Sequence, residues 1–336
     1  MPLPNFFIIG AAKAGTTALF WYLRPHPEIY LPDVKEPRFF SYDPSESTRY
    51  GGPGAQRLIE SAVKDMAAYE ALYQGVAHEK AVGDVSPAYL RSPVAARRIR
   101  ETVPDARIVA VLRDPVERAY SHFLYNLQTG WEHEKDFERV LSMRERRERE
   151  HWWRKWDYVG NGLYHEQLSR YLELFEPDRI RVYLYEELLD DPRALVGDLL
   201  RFLGVDPSAR LDVSGRHNVT GLPKSERVNR LLSGPNPVRG AAKALLPRRL
   251  RTRVRSQIER RNLHKPEMSP RARALLCEIY RDDVCRLEQL IARDLSSWCS
   301  QAGMPGSSAG YTAAAAAGSR AASETSSTRR PVRADS

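Results

Sequence analysis

The sequence predicts a single α/β domain with a central parallel sheet flanked by helices. A short apolar run at residues 6–9 is followed directly by a loop of small residues and a segment of helical composition that begins at Ala18. A near-continuous apolar run at residues 108–112 is typical of a parallel strand covered on both faces. The length of 336 residues is enough for one large domain with a sizeable core, which we place at residues 1–300.

The loop after the first strand has the composition of a phosphate-binding site. Its residues 10–17 are Gly-Ala-Ala-Lys-Ala-Gly-Thr-Thr, and such small residues let backbone N–H groups approach an anion beside the positive end of a helix dipole. Lys13 adds a full charge, and Thr16 and Thr17 add hydroxyl donors. A Walker A loop has its lysine where Thr16 stands, whereas here the lysine lies inside the loop. An ordinary glycine turn is the alternative, which the agreement of strand, lysine, threonines and helix disfavours.

With its lysine inside, this loop resembles the 5′-phosphosulfate loop of sulfotransferases that use 3′-phosphoadenosine-5′-phosphosulfate (PAPS). The resemblance implies a P-loop NTPase-like fold. It also implies that five loop residues bind this sulfuryl donor, namely Lys13, Ala14, Gly15, Thr16 and Thr17. Lys13 would also be catalytic, because it can stabilise the charge that develops on the leaving phosphate oxygen.

Charge and composition limit the classes of partner. The chain has 52 lysines and arginines against 43 acidic residues, a net charge of +9, and its 42% hydrophobic and 28% charged residues are typical of a soluble globular protein. The positive excess indicates anionic ligands in general. Nucleic acid is conceivable on charge alone, but the sequence has no nucleic-acid recognition motif, so we expect none as a partner. We expect no metal either, because the chain has no Cys-x-x-Cys pair and no histidine at zinc spacing.

We expect a cytoplasmic protein without a transmembrane segment. No apolar run is long enough to span a bilayer, and the N-terminus lacks a basic region followed by an apolar stretch. Residues 247–261 are rich in arginine and have apolar residues four apart, which predicts a basic amphipathic helix. This helix could face solvent, an anionic acceptor or a membrane surface. Peripheral membrane contact therefore stays open, as does the oligomeric state. A last ordered helix is predicted over residues 270–297, and residues 301–336, rich in Ala, Ser, Gly and Arg, predict a disordered tail.

The segment from Lys35 to Phe40 contains the candidate general base. Prolines bracket it, so it is predicted to be a loop or strand edge. A carboxylate beside the aromatic pair Phe39-Phe40 can have a raised pKa, which suits a base, although spacing alone favours a surface ion pair. Lys-Glu-Pro-Arg-Phe-Phe resembles the Lys-Glu-x-x-Phe-Phe segment of heparan-sulfate-type and related bacterial sulfotransferases. In that family the glutamate is the catalytic base, which implies this role for Glu36.

A short strand ending near Gly83 is predicted next, followed by a loop. The sequence Asp-Val-Ser-Pro-Ala-Tyr resembles the Glu-Lys-Ser-Pro-x-Tyr segment of the same family, with a departure. Asp84 stands for the glutamate, and Val85 stands where some members have an active-site lysine. The role of that lysine is either absent or taken by another basic residue, for which Lys35 and Arg38 are candidates.

A second anion receptor is predicted at the end of the strand at residues 108–112. Arg113 points toward the usual ligand crevice of an open α/β sheet, and Ser121 lies two turns along the next helix, which begins near Pro115. An arginine with a nearby hydroxyl suits a phosphate, although a strand arginine alone would more often pair with a helix cap. The segment resembles the family's 3′-phosphate motif, arginine-x-proline with a later serine. Two phosphate receptors point to PAPS rather than ATP.

Three further groups of residues have open roles. Four tryptophans in residues 130–157 either belong to the core or a lid, or form a stacking surface for an acceptor, namely Trp131, Trp152, Trp153 and Trp156. His122 and His133 are rival acid–base candidates. The polar loop at residues 215–224 resembles the family's C-terminal cofactor loop, which implies that Arg216, His217 and Asn218 bind the cofactor, a plain surface loop being the alternative.

The resemblance as a whole implies a PAPS-dependent sulfotransferase. Such an enzyme moves a sulfuryl group in line to a hydroxyl or amine of a carbohydrate, glycolipid or secondary-metabolite acceptor, with Glu36 as base. Two other classes remain. A P-loop kinase or NTPase would need a lysine directly after Gly15, which is absent. A catalytically inactive nucleotide-binding module is favoured only by the valine at position 85.

Overall fold

Five parallel strands form the central sheet in a computed structural model of the chain, in the order β2-β3-β1-β4-β5. The structure describes residues 3–45, 49–215, 222–223 and 263–299. The strands of the sheet are β1 (Phe6–Gly10), β2 (Ile29–Tyr30), β3 (Ala81–Val85), β4 (Arg107–Leu112) and β5 (Ile180–Leu184). Two short antiparallel strands, β6 (Leu222–Pro223) and β7 (Leu263–His264), form a separate ribbon. The predicted parallel sheet is therefore confirmed.

Helices connect the strands and flank the sheet. In the described residues they are α1 (Thr16–Leu23), α2 (Ala55–Glu60), α3 (Met66–Ala71), α4 (Ala88–Arg91), α5 (Ala95–Thr102), α6 (Pro115–Gln128), α7 (Phe137–Ser142), α8 (Arg144–Arg149), α9 (Tyr164–Leu172), α10 (Tyr185–Asp190), α11 (Pro192–Leu203) and α12 (Pro270–Ile291). Short 3-10 turns lie at Phe39–Ser41, Arg154–Trp156, Gly160–Gly162 and Pro177–Arg179. Helix α6 begins as predicted, because Asp114 caps it and Pro115 occupies its first turn.

The central strands position the site. Every residue of β1 is buried, as is all of β4 after its first residue, so these strands are covered on both faces. Strand β1 lies between β3 and β4, with Phe7 paired in register with both Asp84 and Ile108. Because the three strands are parallel, the loops that follow them meet at the same edge of the sheet.

Two predicted boundaries were wrong. The last helix ends at Ile291 rather than at residue 297, because Ala292 has a φ of 50°, in the left-handed region. Strand β3 continues past Gly83 to Val85, and the short helix α4 follows soon after it. Predictions for residues 216–218, 247–261 and 301–336 fall outside the described residues. Within the described part of the chain, none of the helices has the length and apolarity needed to cross a bilayer.

Candidate active site

A cavity of about 750 Å³ opens at the carboxyl edge of the sheet. Most of the site residues predicted from the sequence line it, namely Lys13, Gly15, Thr16, Thr17, Glu36, Arg113 and Ser121. The predicted cofactor-binding residue Ala14 does not line it: its side chain is buried in the core, and its N–H donates to the carbonyl oxygen of Ala11 at 3.1 Å. The chain therefore gathers two separate sequence motifs and the candidate base around one space.

The first anion receptor is the loop between β1 and α1. Gly15 occupies the N-cap position of α1 with a φ of 91°, and a Cβ there would lie 2.5 Å from Cδ2 of Leu188. Glycine is thus required both for the backbone conformation and for the close approach of α10. The first N–H groups of a helix have no partner within it, so those at Thr16 and Thr17 are available to an anion at the mouth of the cavity.

Lys13 supplies the positive charge of this loop. Its ammonium nitrogen lies 4.2 Å from the centre of the Tyr125 ring, a cation–π contact, and no carboxylate of the described residues lies within salt-bridge distance of it. Burial, together with the charges of Arg113 and Lys155, lowers the pKa of Lys13 to about 7. A bound anion would restore the missing counter-charge, so the loop is electrostatically prepared for one.

Arg113 joins the second receptor to the first. Its Nη1 donates to the carbonyl oxygen of Lys13 at 3.0 Å, and its guanidinium carbon lies 4.6 Å from the centre of the Tyr185 ring. Ser121 lies on α6, where it is buried and lines the same cavity. The guanidinium is therefore held between the loop and α10, with Ser121 nearby on the cavity wall.

The helix-cap alternative for Arg113 is realised only weakly. Its Nη2 lies 3.9 Å from Oε2 of Glu117, which is in the first turn of α6. Glu117 has closer partners, Lys265 at 2.6 Å and Arg273 at 2.5 Å, and these hydrogen bonds and charges lower its pKa to about 2 against the opposing effect of burial. Since Glu117 is already neutralised by two other cations, Arg113 keeps its capacity to bind an anion.

Glu36 forms the ion pair that spacing alone favours, and it also lies on the cavity wall. The partner of its carboxylate in that ion pair is Lys35. The aromatic anchor behind it is real, because Phe40 is buried and packs edge-on against Phe7 of β1, with ring centres 5.5 Å apart. A carboxylate on a loop that is anchored to the central strand can be held at a fixed distance from the phosphate loop.

A buried carboxylate fixes the loop that carries Glu36. Asp84 of β3 accepts hydrogen bonds of 2.7 Å from the hydroxyls of Ser86, Tyr69 and Tyr89. The Ser86 oxygen in turn accepts the backbone N–H of Arg38 at 3.3 Å. Burial raises the pKa of Asp84 to about 6, although these hydrogen bonds oppose the shift. Asp84 therefore holds the Glu36 segment through Ser86.

Replacing Asp84 by alanine should reduce the free energy of unfolding by about 3 kcal/mol at pH 8, because three buried hydroxyls lose a shared, ionised acceptor. Urea denaturation monitored by circular dichroism measures this. Asp105→Ala is the matched control, since that side chain is 90% exposed and its loss should cost no more than about 0.5 kcal/mol. Equal midpoints for the two variants would contradict the bonded role of Asp84.

Comparison with known proteins decides the family. The model of the sulfotransferase family matches residues 4–208, more than half of the chain. The chain belongs to the sulfotransferase family. A crystal structure of a sulfotransferase from Alicyclobacillus acidocaldarius is 34% identical, covers 89% of this chain and 99% of that one, and superposes with a TM-score of 0.70. The predicted P-loop NTPase-like fold and the predicted enzyme class are confirmed, and the kinase alternative loses its support.

Curated relatives of this sulfotransferase are larger proteins. The membrane-associated sulfotransferase kil1 of Dictyostelium discoideum is 31% identical over 126 residues, which cover 38% of this chain and 24% of that one. The bifunctional heparan sulfate N-deacetylase/N-sulfotransferase 4 of Mus musculus is 26% identical over 312 residues, covering 89% and 31%. Heparan sulfate glucosamine 3-O-sulfotransferase 6 of Homo sapiens is 27% identical over 202 residues, covering 60% and 52%. The chain thus spans between about a quarter and half of their lengths.

The structure of this sulfotransferase adds a cavity residue that sequence reasoning missed. Lys155 lies in the 3-10 turn Arg154–Trp156 and lines the cavity. Its ammonium lies 5.3 Å from the centre of the Tyr125 ring and 5.0 Å from that of Trp131. The aromatic neighbours of Lys155 in the chain were the only available signal. They gave no indication that this lysine, among many charged residues, enters the site.

The two histidine candidates have different positions. His133 is exposed and does not line the cavity, so the fold does not bring this candidate to the site. His122 is buried, lines the cavity and has no hydrogen-bond partner for Nδ1 among the described residues. Burial and the charges of Arg118 and Lys155 hold the pKa of His122 well below its usual range. This environment therefore favours the neutral form of the imidazole.

The four tryptophans fall into two groups, two that line the cavity and two that pack against each other beside it. Trp131 and Trp153 line the cavity, while Trp156 is buried and donates through Nε1 to the carbonyl oxygen of Trp131 at 2.9 Å. Trp152 packs edge-on against Trp156, with ring centres 5.6 Å apart. Arg216, His217 and Asn218 lie outside the described residues. Among the residues that the structure does describe, no cluster of histidine, cysteine and acidic side chains could hold a metal ion.

Proposed function

We propose that this sulfotransferase moves a sulfuryl group from PAPS to a hydroxyl or amine of a carbohydrate, glycolipid or secondary-metabolite acceptor. The observation that carries the proposal is the joining of two anion receptors in one cavity. Arg113 Nη1 and the carbonyl oxygen of Lys13 are 3.0 Å apart, so the second receptor is held directly against the first. A nucleotide with phosphates at both its 5′ and 3′ positions matches such a pair, whereas ATP places its phosphates in one chain.

Each receptor has its own task. The N–H groups at the start of α1 and the ammonium of Lys13 bind the 5′-phosphosulfate and stabilise the negative charge that grows on the leaving phosphate oxygen. Arg113 and Ser121 bind the 3′-phosphate and so position the donor for in-line attack. Gly15 keeps the helix end open to the phosphosulfate.

Glu36 is the proposed base. It accepts the proton of the acceptor hydroxyl or amine as the new bond from that oxygen or nitrogen to sulfur forms. The bond between sulfur and the 5′-phosphate oxygen breaks at the same time, and its electron pair stays on adenosine 3′,5′-bisphosphate. No metal enters this scheme. The Asp84 hydrogen bonds maintain the loop geometry that the proton transfer requires.

A carbohydrate is the first acceptor to test. Trp131 and Trp153 give the cavity an aromatic wall on which a sugar face could stack, and two of the relatives above are named for heparan sulfate. The volume of about 750 Å³ accommodates a nucleotide together with part of an acceptor. A cytoplasmic location and the absence of a nucleic-acid partner stay predictions.

Formation of adenosine 3′,5′-bisphosphate from PAPS tests the proposal. The protein is incubated with PAPS and a panel of acceptors, including heparan-type oligosaccharides, neutral glycolipids and phenols, and the bisphosphate is measured by chromatography. Acceptor-dependent release is the expected result. Binding of the bisphosphate without turnover on any acceptor would favour the inactive-module alternative, and the absence of both would contradict the proposal.

Bisphosphate affinity should fall about tenfold or more between pH 7 and pH 9. In the free protein the pKa of Lys13 is about 7, so above that pH the ammonium has lost its proton and binding must restore it. The charged groups that face this ammonium are Arg113, Lys155, Glu36 and Lys35, and the titratable side chains of Tyr125 and His122 face it from α6. Calorimetry in two buffers of different ionisation enthalpy measures the proton uptake. Lys13→Arg should reduce the pH dependence, since a guanidinium stays charged, and pH-independent affinity in the unaltered protein would contradict this assignment.

A further inference from the structure

We infer that Lys155 is a catalytic residue that binds the oxygens of the sulfuryl group during its transfer. This inference rests on the proposed function and names a residue for the same site. Lys155 and Lys13 share the Tyr125 ring, with ammonium-to-centroid distances of 5.3 and 4.2 Å. One lysine belongs to the phosphate loop and the other reaches the same cavity from the Arg154–Trp156 turn, so both ammonium groups border the space around the Tyr125 ring.

The backbone around Lys155 is held firmly. Its carbonyl oxygen accepts from Nδ2 of Asn126 on α6 at 3.2 Å. The carbonyl oxygen of the preceding residue, Arg154, accepts from Arg91 at 3.2 Å and from Asn161 at 2.9 Å. Such a turn, tied to α6 and to the end of α4, presents its lysine to the cavity in a defined place rather than as a mobile surface side chain.

The ammonium of Lys155 has no carboxylate within salt-bridge distance in the described part of the chain. It faces Glu36 and Arg38 from the loop after β2, Lys13 from the phosphate loop, His122 and Tyr125 from α6, and Trp131 just beyond the C-terminal end of α6. Burial lowers the pKa of Lys155 to about 8, with the charge of Glu36 opposing the shift. A partly buried cation without a carboxylate partner is costly unless an anion neutralises it.

The other candidate cations are less well placed. Val85 is buried in β3 and paired in register with Ile8, so that position provides no charge. Lys35 is engaged by Glu36, and it is not part of the cavity wall. Arg38 lines the cavity, but its guanidinium donates to the hydroxyl of Ser61. Lys155 lines the cavity and has no carboxylate of the described residues within salt-bridge distance, so it is better placed for this role than Lys35 or Arg38.

The transfer assigns each charge to one group. The acceptor oxygen or nitrogen forms a bond to sulfur while its proton passes to Glu36, and the bond from sulfur to the 5′-phosphate oxygen breaks with its electron pair on the phosphate. Lys13 neutralises that phosphate oxygen, and Lys155 donates hydrogen bonds to the sulfuryl oxygens without gaining or losing a proton. The product bisphosphate has no sulfuryl group, so Lys155 has little to contribute to its binding.

Lys155→Met tests the inference because methionine retains the length and apolar stem of the side chain without its charge. We expect the kcat for PAPS-dependent sulfation to fall about 100-fold, while the Kd of adenosine 3′,5′-bisphosphate changes by less than about twofold. Lys135→Met is the matched control, since Lys135 is exposed and does not line the cavity, and it should leave both quantities unchanged.

Lys155→Arg gives a second readout that a purely structural role would not move. It should retain measurable turnover and shift the alkaline limb of the pH profile of kcat upward, since a guanidinium does not titrate there. This measurement stays informative even where Lys155→Met lowers the melting temperature.

Three outcomes would overturn the inference. The first is unchanged kcat in Lys155→Met, above all if Arg38→Met loses turnover instead. The second is a loss of bisphosphate affinity in Lys155→Met equal to the loss in kcat, which would assign Lys155 to the phosphates. In the third, the unaltered protein neither binds the bisphosphate nor consumes PAPS. That result removes the proposed function itself, and so it is distinguishable from failure of the variant alone.

Discussion

Glu36→Gln should lose turnover by about 1,000-fold and bind adenosine 3′,5′-bisphosphate with unchanged affinity. The amide keeps the shape of the side chain and its place on the cavity wall, but it cannot accept a proton from the acceptor. The bisphosphate contacts the phosphate loop and Arg113 in this account, so its binding does not depend on the Glu36 carboxylate. Initial rates with saturating PAPS and calorimetric titration measure the two quantities.

Two controls sharpen this experiment. Glu60→Gln changes an exposed glutamate outside the cavity and should leave kcat unchanged. His122→Gln tests the rival base, since His122 lines the same cavity with an unpartnered Nδ1 and its neutral form is favoured there. If His122→Gln lost turnover and Glu36→Gln retained it, the base would be the histidine. Full turnover in Glu36→Gln alone would remove the glutamate from that role.

Lys13→Met should weaken the binding of adenosine 3′,5′-bisphosphate about 100-fold, which corresponds to about 2.7 kcal/mol. Below its pKa of about 7 the ammonium of Lys13 carries the positive charge of the phosphate loop, and no carboxylate of the described residues competes for it at salt-bridge distance. Adenosine 5′-monophosphate should be weakened by a similar factor, because both nucleotides place their 5′-phosphate on this loop. Calorimetry with the two ligands measures both affinities.

Arg113→Met is the matched comparison for Lys13→Met. Arg113 belongs to the second receptor, so its loss should weaken the bisphosphate strongly and the monophosphate little, removing the discrimination between the two nucleotides. If both variants lost the same factor of affinity for both nucleotides, Lys13 and Arg113 would contribute to the binding of the same phosphate. Such a result would contradict the assignment of separate 5′ and 3′ receptors.

The parts of the site that the sequence predicts are those encoded by local signals. The apolar runs of β1 and β4 mark strands, and the chain places Lys13 directly after one and Arg113 directly after the other. Once two neighbouring strands are known to be parallel, their carboxyl ends must meet, which brings the two receptors together. The order of strand, loop and helix predicts this meeting, whereas the role of Glu36 as base and that of Arg113 at the 3′-phosphate came from the family resemblance.

Contacts between distant segments could not be predicted in this way. The hydroxyl of Tyr69 on α3 donates a hydrogen bond to the carboxylate of Asp84 on β3. The sequence does not show that three hydroxyl groups donate to this one carboxylate. Lys155 enters the cavity from a turn far along the chain, and only the folded structure shows that no carboxylate of the described residues lies within salt-bridge distance of it. Polar networks between distant segments are therefore the part of the site that can be identified only from the structure.

The end of the last helix shows a different limit. Leu295 and Trp298 are buried, so the apolar pattern of α12 continues after the helix has stopped. Periodicity alone predicts helix through that region, whereas the left-handed backbone at Ala292 turns the chain and buries the same side chains in another conformation. The apolar periodicity of the sequence therefore indicates which side chains are buried here, and it does not show that the backbone is helical.

Titration calorimetry of the unaltered protein with adenosine 3′,5′-bisphosphate, and separately with ATP and Mg²⁺, tests the central claim most directly. The joined receptors around Lys13 and Arg113 predict tight binding of the bisphosphate, in the micromolar range or below, and no measurable binding of ATP. Tight binding of ATP with Mg²⁺ and none of the bisphosphate would contradict the assignment of the site to a 3′,5′-bisphosphorylated nucleotide.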